Sequence, residues 1–250
     1  MAIFIYVHAG GAVNEYDFQY DDDGFSAVSK KSGEKKYFSK GNTKKEGIDI
    51  SSWSGDIDWA KLKESGIEFV MIREGYGLAD PNQVDKRFHK NIKEAQKNGI
   101  PCGAYHYSYA TSVKEAIEEA EFCISNIKNY KLEYPIAFDI EDASVEKCCR
   151  REATDMCIAF CDTLRQAGYY ATIYTNKNWI TNFLFEGELF HAYDLWYAQW
   201  NEEITEPDYH CGIWQKKGDQ KIDGVHGFAD INECYYDYSQ IMKDLHLNGN

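Results

Sequence analysis

The chain has 250 residues, 44% of them hydrophobic, which is enough for a sizeable core and excludes global disorder. Its 41 acidic residues against 27 basic ones give a net charge of −14, which argues against nucleic acid as a partner, since such binders need a basic face. Eight cysteines form no C-x-x-C pair and the seven histidines show no zinc spacing with them, so neither a metal nor a cofactor is expected. The cysteines read mainly as buried or free thiols, with Cys148, Cys149, Cys157 and Cys161 inside one helical stretch. The start, Met1 to Val7, is apolar but has no basic leader and is too short to span a bilayer, so it predicts neither a signal peptide nor membrane insertion.

Residues 1–46 read as a small β-rich N-terminal extension and linker. Tyr16 to Tyr20 alternates, Asp21-Asp22-Asp23-Gly24 is a turn signal, and Phe25–Val28 and Lys36–Phe38 flank Lys31-Ser32-Gly33-Glu34 as a β-hairpin would. Such a segment is too small to hold a core alone. From residue 47 to 250 the pattern changes to strands alternating with helices. Gly47–Ser51 is a strand, and Asp56 or Asp58 caps a helix through Trp59, Leu62 and Ile67. Phe69–Arg73 is the second strand, followed by a helix that steps through Phe88, Ile92 and Ala95 to a stop at Asn98-Gly99. Cys102–Tyr109 is the third, with Tyr105, Tyr107 and Tyr109 on one face and His106 opposite, where it reads as a hydrogen-bonded core residue. Val113, Ala116, Ile117, Ala120, Ile124 and Ile127 then form one face of a helix, with glutamates opposite.

The fourth strand, Ile136–Ile140, opens after Pro135 and ends in carboxylates, Asp139, Glu141 and Asp142. Alternation along a strand points Asp139 and Glu141 the same way. A helix through Ala153, Met156, Phe160 and Leu164 leads to a fifth strand, Tyr170–Thr175. After a short helix between Asn178 and Leu184, the segments Leu195–Trp200, Gly212–Gln215 and Phe228–Asn232 read as three strands with little helix between them. The fold class is therefore α/β, an irregular TIM-like (β/α)5(β)3 barrel with the small N-terminal extension. Active sites of such barrels lie at the carboxyl ends of the strands, and Asp49, Asp139, Glu141 and Asp230 all fall near strand ends. Arg73, at another, suits an ion pair with a carboxylate.

Gly47-Ile48-Asp49-Ile50-Ser51, Ile57-Asp58-Trp59, Gly103–Tyr107, Asp139-Ile140-Glu141, Ile173-Tyr174-Thr175, Leu195–Ala198, Ile213-Trp214-Gln215 and Asp230-Ile231-Asn232 resemble, in this order, the motifs of the glycoside hydrolase family 25 muramidases, or lysozymes. The ordered set covers about residues 47–235. The resemblance implies a β/α barrel irregular in its last three strands, and hydrolysis of the β-1,4 bond between N-acetylmuramic acid and N-acetylglucosamine. By position, Glu141 matches the general acid, Asp139 its acidic partner, and Asp49 and Asp230 the first-strand and last-strand aspartates. Tyr105, Tyr107, Trp196 and Trp214 match aromatic positions near the sugar groove, and Tyr174, Tyr197 and Gln215, inside the same motifs, join them as candidate substrate contacts. The run Ser51-Ser52-Trp53-Ser54-Gly55 departs from the family, which often carries His or Gln before that glycine. The implied partner is the glycan of bacterial peptidoglycan, met by a monomer outside the cell or at the wall.

Cleaving a glycosidic bond needs a proton on the leaving oxygen and support for an oxocarbenium-like centre. Glu141 is the expected donor, its pKa raised by burial and neighbouring acids. Asp139 either orients the substrate's N-acetyl group for attack on the anomeric carbon or acts with a water and inversion; the sequence leaves both open. So too with a glycan-binding protein on the same barrel, or a hydrolase of another N-acetylated glycan such as chitin.

Overall fold

The computed structural model describes residues 15–21, 23–41, 44–205 and 209–250. The reading of Met1 to Val7 lies outside the described residues, as do Asp22 of the turn and Asn42 and Thr43 of the linker.

Three strands come first: β1 (Tyr16–Tyr20), β2 (Gly24–Ser29) and β3 (Lys35–Ser39), an antiparallel sheet in the order β1-β2-β3. The predicted hairpin is β2 and β3; the alternating stretch before it adds a third strand, with Tyr20 opposite Phe25. Alternation buries Phe18, Tyr20, Phe25 and Ala27 together. That apolar face has its partner in the barrel. The Phe25 ring centroid lies 5.7 Å from Tyr170 and 5.5 Å from Tyr236, and the Tyr20 hydroxyl donates to the Tyr170 hydroxyl at 3.1 Å.

The barrel follows in chain order: β4 (Lys45–Ile50), α1 (Trp59–Glu64), β5 (Phe69–Tyr76), α2 (Phe88–Lys97), β6 (Cys102–Tyr107), α3 (Val113–Ile127), β7 (Ile136–Asp139), α4 (Arg150–Gln166), β8 (Ala171–Asn176), α5 (Lys177–Phe183), α6 (Glu186–Leu189), β9 (Asp194–Ala198), β10 (Ile213–Gln220), β11 (Ala229–Cys234) and α7 (Tyr238–Asp244). Strands β4 to β11 close into one barrel. Neighbours from β4 to β10 are parallel, whereas β11 runs antiparallel to both β10 and β4. That reversal puts Asp230, near the start of β11, directly opposite Asp49, near the end of β4.

The period of two sorts side chains between two apolar clusters. Ile48, Ile50, Val70, Ile72, Phe138, Ile173 and Leu195 point out against the helices, with Phe88, Ala120 and Phe160. Phe69, Met71, Ala137, Trp196 and Ile213 point into the barrel and join the N-terminal sheet's aromatic face. The sheet thus seals the barrel floor and leaves the carboxyl ends of the strands for chemistry.

Several local expectations shift. Asp58, rather than Asp56, caps α1, accepting the Lys61 N–H at 3.2 Å. Val113 is exposed and the buried face of α3 includes Glu119, which accepts the Ser108 hydroxyl at 2.6 Å and the Tyr109 N–H at 2.9 Å. A carboxylate holding orphan donors beyond β6 is worth more there than another aliphatic contact. Cys148 and Cys149 precede α4, Cys149 as its N-cap. All eight cysteines carry free thiols, six of them buried. Helix α7, which the sequence reading does not predict, is capped by Asp237 and buries Tyr238, Ile241 and Met242.

Phe25 is fully buried between the sheet and the barrel floor. Phe25→Ala is expected to cost about 3–5 kcal/mol of unfolding free energy, as for other buried phenylalanines. Urea denaturation measures it; a loss below about 1 kcal/mol would mean that the sheet does not stabilise the barrel.

Candidate active site

Four carboxyl groups gather at the open end. Strand β7 ends at Asp139, one residue sooner than the sequence predicts, and the chain turns so that the Glu141 N–H donates to Asp139 Oδ1 at 3.2 Å. Asp139 is buried, and burial first, then the neighbouring Glu141 charge, pushes its carboxyl well above the carboxylate range. Burial also lifts Glu141 from the ordinary 4.5 to about 7, against the pull of Asn176 and Thr175 beside it. Glu141 Oε1 is buried and accepts no hydrogen bond from the described residues.

Across the mouth, Asp49 and Asp230 form a second pair. Gln215 Nε2 donates to Asp49 Oδ2 at 2.9 Å and to Asp230 Oδ2 at 3.2 Å. Asn232 Nδ2 donates to Asp49 Oδ2 at 2.8 Å, and the Asp219 N–H to Asp230 Oδ1 at 2.7 Å. Burial, then the facing Asp230 charge, raises Asp49 from 3.8 to about 7 despite both amides, and burial raises Asp230 as well. Arg73 does not neutralise this cluster: its Nε and Nη2 donate to Asp85 Oδ2 at 3.0 and 2.8 Å. His106 faces away from it, Nδ1 lying 2.9 Å from the buried Glu74 carboxylate.

The aromatic candidates divide by strand face. Tyr105, Tyr107 and Tyr174 are partly open at the mouth. The Tyr107 hydroxyl donates to Asp142 Oδ2 at 3.1 Å, and that of Tyr174 to Gln215 Oε1 at 3.0 Å. Trp196, Tyr197 and Trp214 do not offer ring faces to a ligand, contrary to expectation. Trp196 is 1% exposed because it fills the barrel between Tyr105 and Tyr174, its Nε1 donating to Asn232 Oδ1 at 2.7 Å. Tyr197 and Trp214 alternate outward and are buried in the layer between strands and helices. Gln215 is inside and central.

Besides Tyr109, which is exposed just past β6, three exposed rings at this end are ones the sequence reading did not nominate. Trp53, in the short 3-10 turn after β4, is 85% exposed, Trp200 after β9 is 65% exposed, and Phe228 before β11 is half exposed. Asn232 was also missed; its signal is alternation, two residues from Asp230. Trp53 and Trp200 lie just past strand ends, which is where barrel sites draw their contacts. Among the described residues no group of three or more His, Cys, Asp or Glu side chains is arranged to hold a metal ion.

The profile of Glycosyl hydrolases family 25 matches residues 48–225, which include the whole mouth except the β11 contribution. The chain belongs to that family. An autolytic lysozyme of Clostridium acetobutylicum is 28% identical over 187 residues, 75% of this chain and 55% of that protein, so this family 25 chain spans about half the length of that relative. The modular autolysin LytC of Streptococcus pneumoniae, solved with a synthetic peptidoglycan ligand, has a TM-score of 0.69 at 25% identity, over 88% of this chain and 58% of that one. A bacterial lysozyme of Streptomyces coelicolor shares the fold at a TM-score of 0.68 and 23% identity, over 84% of this chain and 99% of that one.

Raised carboxyl pKa values make the folded state of this family 25 chain bind more protons than the unfolded state. Stability is then lost as pH rises from the ordinary carboxylate range through the raised values. Asp49→Asn removes one such group and its repulsion with Asp230. Its melting temperature is expected to fall less than the wild type's between about pH 5 and about pH 8. Equal falls would contradict a raised Asp49.

Proposed function

We propose that the chain is an N-acetylmuramidase that cleaves the β-1,4 bond between N-acetylmuramic acid and N-acetylglucosamine in bacterial peptidoglycan, acting as a monomer at or outside the cell wall. The observation that carries this reading is the buried Glu141 carboxyl, its Oε1 without a hydrogen bond among the described residues and its pKa pushed up to about 7 by burial, beside Asp139 at the mouth of a family 25 barrel.

In this reading Glu141 gives its proton to the leaving oxygen as the anomeric bond breaks. Asp139 spends Oδ1 on the Glu141 N–H, and in this reading the substrate's acetamido N–H favours the charged form of the carboxyl, whose other oxygen, ionised in the complex, accepts that N–H. The acetamido carbonyl oxygen, so oriented, attacks the anomeric carbon and forms a cyclic intermediate. Water then opens that ring, its proton returns to Glu141, and the configuration is retained. Asp49 and Asp230 bear on the sugar or on that water from the opposite wall, with Tyr105, Tyr107 and Tyr174 between the pairs. The similarity to an autolytic lysozyme and to an autolysin solved with a peptidoglycan ligand favours muramidase over chitin hydrolysis or glycan binding alone.

Two outcomes are expected. Glu141→Gln lowers kcat on purified peptidoglycan by about 10²–10⁴-fold with the fold retained, while wild-type kcat/KM declines above about pH 7 as Glu141 loses its proton. Mass spectrometry of the wild-type digest shows muramic acid at new reducing ends, and NMR of fresh product shows the retained anomer. N-acetylglucosamine ends overturn the bond assignment, and an inverted anomer overturns the acetamido step.

A further inference from the structure

The exposed indole of Trp200 and the buried amide of Gln215 have a relation that the acid chemistry does not use. Gln215 is 2% exposed, and its side chain makes four hydrogen bonds. Nε2 donates to Asp49 and Asp230, while Oε1 accepts from the Tyr174 hydroxyl at 3.0 Å and from Trp200 Nε1 at 3.0 Å. A primary amide has two donors and one oxygen with two lone pairs, so every valence is used. Turning the amide over would set its oxygen against two carboxylates and its N–H groups against two donors. Its orientation is therefore fixed from both sides.

Trp200 is held at three points. Its Nε1 is on Gln215, and the chain on either side is tied to β10, where the Gln199 N–H donates to Gln215 O at 3.1 Å and the Asn201 N–H to Lys216 O at 3.2 Å. The ring rests on Gly218, where an added Cβ would come within 2.4 Å of Trp200 Cζ2. Yet 65% of the residue stays exposed. A rigid aromatic surface that is anchored at its polar edge and left uncovered suits the apolar C–H face of a pyranose, and little ordering entropy remains to be lost on binding.

We propose that Trp200 is the platform of a sugar subsite beside the Asp49–Asp230 pair, and that Gln215 is the positioning residue joining that platform to the two carboxylates. This rests on the muramidase reading for the identity of the sugar, an N-acetylated pyranose of the peptidoglycan strand. The Gln215 amide favours the charged form of Asp49, so its removal drives that carboxyl further up and moves the acid limb of the pH–rate profile to higher pH.

The test uses the full chain in two arms. In the Glu141→Gln background, calorimetry with soluble N-acetylglucosamine–N-acetylmuramic acid oligosaccharides reads binding. Trp200→Ala is expected to weaken Kd about tenfold, and Trp200→Phe, which keeps a ring, by about threefold or less. An unchanged Kd for Trp200→Ala, or no binding by Glu141→Gln itself, overturns the platform. In the turnover arm, Gln215→Leu is expected to lower kcat about ten- to a hundredfold with little change in KM, and to shift the acid limb upward. Trp200→Phe, which keeps a ring but loses the N–H to Gln215, shifts it the same way by less. Unmoved pH profiles overturn the positioning role. A wild type that binds the oligosaccharides but leaves peptidoglycan uncut refutes the hydrolase reading alone, and the binding arm still decides Trp200.

Discussion

The constraint on which the site depends is the confinement of four carboxyl groups to the mouth of a closed barrel with too little positive charge to balance them. Arg73, the cation that reaches Asp139, is already committed to Asp85. Amide donors from Gln215 and Asn232 soften the Asp49 charge without cancelling it. Protons must do the rest, because a buried carboxylate without a cation is costlier than a neutral acid. The same cost of burying charge pushes the Glu141 carboxyl up to about 7.

Barrel architecture sets this up by giving the two ends different work. At the floor, the N-terminal sheet lays Phe18, Tyr20 and Phe25 over Tyr170 and Tyr236. At the mouth, loops after the strands carry Glu141, Trp53 and Trp200, while strand residues carry Asp49, Asp139 and Gln215. The reversed β11 lets a residue at a strand's start, Asp230, stand opposite one near a strand's end. In a wholly parallel barrel that position would face the floor.

Much of this was legible in the residues. Apolar alternation and helix periods located the eight barrel strands, the thinning of helix after β8 that ends in strand-only connections after β9, and the acids at strand ends, because each rests on local chemistry. What stayed hidden depends on partners distant in the chain. Glu119 looked like a solvent-facing glutamate until its two donors beyond β6 were seen. Trp196, Tyr197 and Trp214 looked alike in their motifs, but whether a strand tryptophan lines a groove, fills a barrel or backs onto helices depends on strand phase and on what closes the floor. The N-terminal segment read as an appendage because its apolar face has no partner within its own sequence.

The central claim is that Glu141 keeps its proton close to neutrality, and a direct titration reads it. Carboxyl carbon-13 NMR of glutamate-labelled protein, with Glu141→Gln to assign the resonance, should give a midpoint of about 7 for that side chain. A midpoint at the ordinary 4.5 would contradict the account, because the group would then be a carboxylate at neutral pH with no proton to give.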